Sequence, residues 1–375
     1  MNAREVSEIR RRFRADKSNI THIRGCYVNE KKEIISQFHQ PMALLSQSES
    51  EELLSILKRT LSGSIGRNLV DITFDTKQVV SSDEHRLLMA LRSSNLNDID
   101  AVHTFYQRVI ESINLETNYL ILLTYDAYDV PYRAKDGEEF EEGSNEVYNY
   151  ILCSICPVKP TKVALSFQAH ENAFRNLSPD WIISPPELGF LFPSFDDRST
   201  NLYNALYYTK NPGENYRPFV DAVFNAPILM PAKMQKETFQ NLLGESLEDE
   251  CRCEVVQSVR DQLCALIEEH KQSKDPQPLK ISKEGMKRLI TGSGVSDEKV
   301  DSFSQRYDET FGAGTSLSPR NLVDTKTEVR TADVKIQISS ERSDLVETRV
   351  IDGIRYVLIR VEDNVEVNGV PIQIS

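Results

Sequence analysis

The 375-residue sequence lacks any long apolar run and has only six cysteines. The run at residues 119–123 (YLILL) is short, whereas a membrane-spanning helix needs about 20 apolar residues. Arg10, Arg11, Arg12 and Arg14 stand where a signal peptide requires apolar residues. So few cysteines cannot form a disulfide scaffold. These absences predict a cytoplasmic protein with reduced thiols that does not associate with membranes.

Recognisable catalytic and cofactor-binding spacings are also missing. The sequence contains no HExxH, GxSxG or Walker-type motif. Its six histidines are scattered, and none has the spacing of a metal ligand relative to another. We therefore predict no cofactor. The hydrophobic fraction of 39% and the charged fraction of 27% are those of a soluble globular protein, which excludes a disordered or collagen-like chain.

The net charge of −13 is unevenly distributed. Residues 1–70 hold 12 basic and 8 acidic side chains, a net charge of +4, whereas residues 71–150 hold 6 and 16, a net charge of −10. An acidic surface repels nucleic acid phosphates. Nucleic acid is therefore a candidate partner only through the basic N-terminal segment, residues 10–14 and Lys17. The alternative is a solvated helix face.

The spacing of apolar residues predicts a multi-domain α+β protein with a central, mostly antiparallel sheet and packed helices. We expect an N-terminal α+β segment (1–117), a tyrosine-rich central sheet region (118–230), a helical connection (231–275) and a C-terminal helix pair with a β meander (276–375). Hairpin-length connections between the central strands favour antiparallel pairing.

Several local features sharpen this prediction. Ser48 and Glu51 form the spacing of a helix capping box, and Ser296 is expected to cap the second C-terminal helix. Residues 201–209 are predicted to be helical from their apolar positions. In the C-terminal meander, the pairs Asp352-Gly353 and Asn368-Gly369 are the two-residue turns that type I′ hairpins require.

Two groups of carboxylates follow predicted strands. Asp126 and Asp129 lie in TYDAYDVP, and Asp196, Asp197 and Arg198 lie in PSFDDRSTN. Paired carboxylates bind divalent ions or act as general acid and base, so these five residues are the catalytic candidates. Aspartate beside proline, serine or asparagine is equally typical of turns, because its side chain accepts hydrogen bonds from nearby backbone.

Tyrosine is concentrated in the middle of the chain, where nine of the fourteen lie between residues 119 and 208. Such rings bury a large area at a small entropic cost, which makes Tyr125, Tyr128, Tyr132, Tyr207 and Tyr208 candidate contacts for a partner. The alternative is packing within strands, which tyrosine also favours.

The loop SGSIGRN suggests phosphate binding. Gly63 and Gly66 would let backbone amides approach a phosphate, and Arg67 would add charge-assisted hydrogen bonds. In the RNA-binding KH module such a loop joins two helices, whereas here it precedes a predicted strand. The alternative is a glycine that ends the preceding helix.

Cys153 and Cys156 form a CxxC pair at the end of a strand-like run. A redox pair would begin a helix, and a three-residue separation in a strand directs the two sulfur atoms to opposite faces. A zinc site would also need Cys251 and Cys253, whose CxC spacing is atypical. We predict no metal site and treat these four cysteines as the weaker alternative.

Several longer motifs carry a family resemblance: CSICPVK, GFLFPSFDDRSTN, YYTKNP, QKETFQ and DLVETRVIDG. On these the sequence resembles the bacterial proteins grouped as domain of unknown function 4317, through essentially the whole chain. The resemblance implies a single-chain cytosolic bacterial protein of about this length. It implies no activity, cofactor or catalytic residue.

Three functions remain open. The first is a non-catalytic cytosolic binding or regulatory protein, for which a protein partner is favoured. The second is a metal-dependent hydrolase that uses the four aspartates. The third is an RNA- or ribosome-associated factor that uses the basic N-terminal segment and the glycine loop.

Overall fold

The computed structural model describes residues 1–133, 139–140, 146–160, 165–168, 172–176, 181–324, 327–330, 334–338, 345–361, 365–367 and 370–372. The chain divides into two units. Unit 1 comprises Met1–Pro231 and Pro276–Pro278, and unit 2 comprises Ala232–Asp275 and Leu279–Ser375. The expected N-terminal segment (1–117) and the expected central sheet region (118–230) both lie in unit 1.

Unit 1 is built on one large sheet. The strands of unit 1, six of which form separate two-stranded pairs outside the large sheet, are β1 (His22–Val28), β2 (Ile34–Pro41), β3 (Leu69–Thr73), β4 (Tyr119–Asp129), β5 (Tyr132–Arg133), β6 (Glu139–Phe140), β7 (Val147–Pro160), β8 (Leu165–Gln168), β9 (Ala173–Asn176), β10 (Trp181–Ile183), β11 (Leu188–Phe192), β12 (Ser194–Asp196), β13 (Ser199–Asn201) and β14 (Asn204–Thr209). The order in the sheet is β2-β1-β4-β7-β11-β14-β3, and β10 also pairs with β7. Every pair in this sheet is antiparallel, as predicted.

Helices cover both faces of the sheet. They are α1 (Ala3–Arg10), α2 (Gln47–Lys58), α3 (Thr76–Ser81), α4 (Asp83–Ser93), α5 (Ile99–Ser112) and α6 (Arg217–Val223). One core cluster joins α4, α5 and α6 to alternate residues of β4 and β7, and a second joins α1 and α2 to the intervening residues. Because successive strand residues point to opposite faces, the apolar run at the start of β4 fills both clusters.

The predicted helix at residues 201–209 is wrong, because this segment forms the end of β13 and then β14. Strand β14 lies between β11 and β3 and is buried on both faces. A strand buried on both faces carries apolar residues without strict alternation. This pattern also matches the helical spacing from which the prediction was made.

The capping box lies two residues earlier than predicted. The side chain of Ser46, rather than Ser48, accepts a hydrogen bond from the backbone of Glu49 at 3.3 Å, and the Glu49 carboxylate accepts from the backbone of Ser46 at 2.8 Å. The S-x-x-E spacing occurs twice in overlapping positions, Ser46 to Glu49 and Ser48 to Glu51. The sequence pattern alone does not choose between them.

Unit 2 contains α7 (Ala232–Leu247), α8 (Cys253–Ser273), α9 (Lys283–Gly292) and α10 (Asp297–Phe311), followed by β15 (Thr327–Arg330), β16 (Lys335–Ile338), β17 (Val346–Ile351), β18 (Ile354–Ile359), β19 (Val365–Val367) and β20 (Val370–Ile372). Ser296 precedes α10 as predicted, but its hydroxyl donates to Glu250 instead of capping the helix. The described strands form three separate antiparallel pairs, β15–β16, β17–β18 and β19–β20.

The predicted turn at Asp352-Gly353 is present, with positive φ angles of 51° and 81°. The second predicted turn, Asn368-Gly369, lies outside the described residues. The α+β class is confirmed, since the described residues combine ten α-helices with a large antiparallel sheet.

Candidate functional site

The first predicted carboxylate, Asp126, lies near the end of β4 and is 1% exposed. Its carboxylate accepts hydrogen bonds from the hydroxyl of Tyr150 at 2.8 Å, from the backbone N–H of Asn19 at 3.2 Å and from Nε of Arg12 at 3.3 Å. The Arg12 guanidinium also lies 5.0 Å from the centre of the Tyr128 ring, a cation–π distance. The charge of Asp126 is therefore balanced inside the protein.

The second carboxylate, Asp196, lies at the end of β12. It forms an ion pair with the Met1 amino group at 2.6 Å and accepts hydrogen bonds from the amides of Asn201 at 2.7 Å and Asn204 at 3.2 Å. Burial raises the pKa of Asp196, but these partners outweigh burial and lower it. Burial likewise opposes protonation of Met1, yet Asp71 and Asp196 raise the pKa of its amino group.

Two glutamates of α1 connect these regions. Glu5 accepts the backbone N–H of Asp197 at 2.8 Å. Glu8 accepts Nη2 of Arg198 at 3.0 Å and the hydroxyl of Tyr128 at 2.8 Å. Helix α1 thus bonds to both of the predicted aspartate loops. We call this set of contacts (Glu5, Glu8, Arg12, Asp126, Tyr128, Tyr150, Asp196 and Arg198) the α1 network.

Burial controls the chemistry of the α1 network. Tyr150 stacks on Tyr148 with their ring centres 4.9 Å apart, and burial raises the pKa of both hydroxyl groups well above the usual range.

A metal ion at Asp126 would have to displace Arg12. No group of three or more His, Cys, Asp and Glu side chains in the described part of the chain is arranged to hold a metal ion. Asp129 is exposed at the far end of β4.

The candidate tyrosines take part mainly in packing and internal hydrogen bonds. Tyr207 and Tyr208 are 0% and 5% exposed in β14. Tyr125 is half-buried and donates its hydroxyl to Asn149 at 2.9 Å, and Tyr128 belongs to the α1 network. The side chain of Tyr132 lies outside the described part of the chain.

Most backbone amides of the glycine loop bond within the loop or next to it. Gly63 and Gly66 have positive φ angles of 96° and 77°. The carbonyl of Ser64 accepts from the N–H groups of residues 67, 68 and 69 at 3.1, 2.9 and 3.1 Å, and the N–H of Gly66 donates to Leu69 at 2.7 Å. The Arg67 side chain is exposed. Amides engaged in this way are not free to cradle a phosphate, and Gly63 directly follows the residue that ends the preceding helical turn, which favours the alternative of a helix-ending glycine.

The basic N-terminal segment is partly neutralised by acidic partners. Arg12 pairs with Asp126, and Arg14 pairs with Asp16 at 2.9 Å. Arg11 and Lys17 remain exposed. The positive surface of this segment is therefore smaller than its sequence suggests.

Cys153 and Cys156 point to opposite faces of the sheet, as predicted, and lie in the two separate core clusters. They cannot share a metal ion. Burial raises the pKa of the Cys156 thiol to about 12 and that of Cys153 well above its usual value. Cys251 and Cys253 are partly exposed in unit 2, and burial raises the pKa of both thiols.

Among the described residues of unit 2, the hairpin β17–β18 carries the largest group of exposed apolar side chains, and none of them was a candidate from the sequence. Both faces carry exposed apolar side chains: Val350, Ile351, Ile354, Tyr356, Val357 and Ile359, between 38% and 68% exposed. Their strands pair only with each other among the described residues. The signal was present in the sequence, because apolar residues occupy both alternating sets of positions.

Comparison with family models assigns the whole chain to one group. A model described as domain of unknown function (DUF4317) matches residues 1–370. Comparison with curated proteins finds no match. None of the helices in the described ranges is long and apolar enough to cross a membrane. Because the family model spans nearly the full length, the chain belongs to the DUF4317 family.

Proposed function

We propose that this protein is a non-catalytic binding protein that recognises another polypeptide through the hairpin β17–β18. The observation that carries the proposal is the exposure of apolar side chains on both faces of this hairpin, including Val350 at 68% and Ile354 at 58%. Large exposed apolar patches mark interaction sites in soluble proteins.

The energetics of a two-stranded sheet support this reading. An isolated hairpin is marginally stable at best in water, and a third strand or a covering element is needed for independent stability. Burying a Val or Ile side chain completely contributes about 1.5–3 kcal/mol. At the observed exposures, a partner that covers Val350 and Ile354 would gain about 1–2 kcal/mol from each.

The outer edges of the hairpin pair with no other strand among those that the structure describes. Six residue pairs, from Val346–Ile359 to Ile351–Ile354, join β17 to β18, and neither strand pairs with another described strand. Exposed edges accept an additional strand from a partner, because backbone hydrogen bonds supply affinity and alternate side chains supply specificity. An extended, apolar segment of another polypeptide is therefore the partner that fits.

The state of the aspartates favours binding over hydrolysis. Asp126 and Asp196 are each held by internal partners, which a catalytic metal would have to replace. The metal-dependent hydrolase and the RNA- or ribosome-associated factor remain alternative predictions, with less support from the observed contacts.

The test compares the full chain with Ile354→Lys and a matched control, Arg355→Lys, which keeps the charge of an exposed neighbour in the same strand. A partner isolated from extract with the full chain should be lost with Ile354→Lys and retained with Arg355→Lys. In calorimetry, the purified partner should bind the full chain and Arg355→Lys with similar affinity and should bind Ile354→Lys much more weakly. Equal binding by all three proteins, or no stoichiometric partner for the full chain, would overturn the proposal.

A further inference from the structure

Three basic side chains meet on one face of the sheet at its β2 edge. His22 and Arg24 are two residues apart on β1 and therefore point to the same face. His39 on β2 stands opposite Arg24 in the antiparallel register. The rings of His22 and His39 are nearly perpendicular, with their centres 4.4 Å apart. These side chains form what we call the basic cluster.

The basic cluster contains a buried N–H group without a partner. Nε of Arg24 is buried and makes no hydrogen bond, whereas the His22 ring bonds to the backbone of Asn95. Nδ1 of His22 lies 2.9 Å from the hydroxyl of Thr21. A buried donor without an acceptor destabilises the folded state, so an acceptor supplied from outside would be favoured here.

The charged side chains that act on His22 are both basic. Burial lowers the pKa of His22, and the neighbouring His39 and Arg24 lower it further, while the backbone of Asn95 only partly opposes them. No acidic side chain is among the groups that act on His22. From the helix packed on this face, the Tyr106 hydroxyl is close enough to Arg24 for the guanidinium to affect its pKa.

We propose that His22, Arg24 and His39 bind an oxyanion group, a phosphate or a carboxylate, with Arg24 as the anchor. A guanidinium presents parallel N–H donors that match two oxygens of such a group. The imidazoles donate from the neighbouring positions. His39 is exposed while Arg24 and His22 are half-buried, so the site is open to solvent on one side.

The chemistry of this site is independent of the hairpin proposed above as the partner surface. It lies in unit 1, and its residues come from β1 and β2 alone. A failure of one proposal therefore leaves the other unaffected.

The experiment uses the full chain with isotopically labelled histidine, observed by NMR at pH 7 and constant ionic strength. Inorganic phosphate and acetate are titrated separately. We expect saturable shifts of the His22 and His39 signals and no comparable shifts at His85 or His103. Tighter binding of phosphate would indicate a phosphoryl ligand, and tighter binding of acetate a carboxylate ligand.

Variants then test the anchor. Arg24→Gln should weaken anion binding at least tenfold, which corresponds to about 1.4 kcal/mol, and His39→Gln should weaken it several-fold. The matched control is Arg14→Gln, because Arg14 is already paired with Asp16 and its loss should leave the affinity unchanged. His39 is exposed on an edge strand, so its variant remains informative if Arg24→Gln does not fold. Absence of saturable shifts, or equal affinity in both His39→Gln and the control, would overturn the proposal.

Discussion

Removing the carboxylate of Asp126 should strongly destabilise unit 1. The side chain is 1% exposed, and its partner Arg12 is only 14% exposed. In Asp126→Ala, Arg12 loses its counterion and the hydroxyl of Tyr150 loses its acceptor. Removing one partner of a buried ion pair costs roughly 3–5 kcal/mol, and an unsatisfied buried hydroxyl costs roughly 1–3 kcal/mol.

These terms overlap, because Arg12 keeps some access to water and its contact with Tyr128. We therefore expect a loss of about 3–5 kcal/mol for Asp126→Ala. Asp126→Asn keeps one accepting oxygen, but it loses the charge and sets an NH2 group against the donors that faced the other oxygen, so a loss of about 2–3 kcal/mol is expected. The total stability of a domain is about 5–15 kcal/mol, so the alanine variant should lose a large share of the stability of unit 1.

The assay is urea unfolding at pH 7, followed by circular dichroism, with hydrogen exchange to locate the loss of protection. Because the chain has two units, protection should fall in β1, β4 and β7 and remain in α7 to α10. The matched control is Asp129→Ala, an exposed aspartate of the same strand, for which a change within about 0.5 kcal/mol is expected.

A double-mutant cycle with Arg12→Met measures the pair itself. Contacting charges typically show a coupling of about 0.5–3 kcal/mol, and burial places this pair toward the upper end. Equal losses for Asp126→Ala and Asp129→Ala, or a coupling near zero, would refute the view that Asp126 is an internal structural anchor.

Three further outcomes are expected. Because the pKa of Asp196 is lowered and that of the Met1 amino group is raised, the stability lost in Asp196→Asn should be largest between about pH 4 and pH 8. It should shrink as acid protonates Asp196 and as base deprotonates Met1, which denaturation at pH 3, 6 and 9.5 would measure. Gly189→Ala should cost at least about 2 kcal/mol, since its Cβ would lie 2.3 Å from a backbone oxygen of β7; Gly244→Ala, with open space in α7, should instead gain about 0.5–1 kcal/mol. In the folded protein at pH 8, Cys153 and Cys156 should resist alkylation, whereas the partly exposed Cys251, Cys253 and Cys264 should react. Mass spectrometry of the labelled peptides measures this, and faster labelling of the two β7 cysteines would contradict it.

The elements with a single dominant periodicity were predictable from the sequence. Helix α5 begins after Asp98, whose side chain accepts a hydrogen bond from the backbone N–H of Ala101, a capping role that aspartate favours. The turn at Asp352-Gly353 has the positive φ angles that its residue types favour. In these places local chemistry determines local structure, so no distant contact is needed for the prediction.

Features that depend on contacts between distant parts of the sequence could not be predicted in this way. Residues 201–209 carry a pattern compatible with a helix or with a strand buried on both faces, and the neighbours β11 and β3 decide between them. The α1 network joins Glu5 and Glu8 to residues about 120–190 positions away. Polar contacts of this kind leave no periodicity in the sequence, so the candidate aspartates could be named but their internal partners could not.

The position of β3 has a consequence for how the protein is made. Within the large sheet β3 pairs only with β14, and Asn204, the first residue of β14, follows Thr73 by 131 residues (204 − 73). At synthesis rates of about 5–20 residues per second, that interval lasts roughly 7–26 s. Throughout this time the apolar residues of β3 have no strand to pair with, and the sheet cannot be completed. For that interval the nascent chain carries an unpaired strand, and unpaired strand edges are the features through which incomplete sheets aggregate.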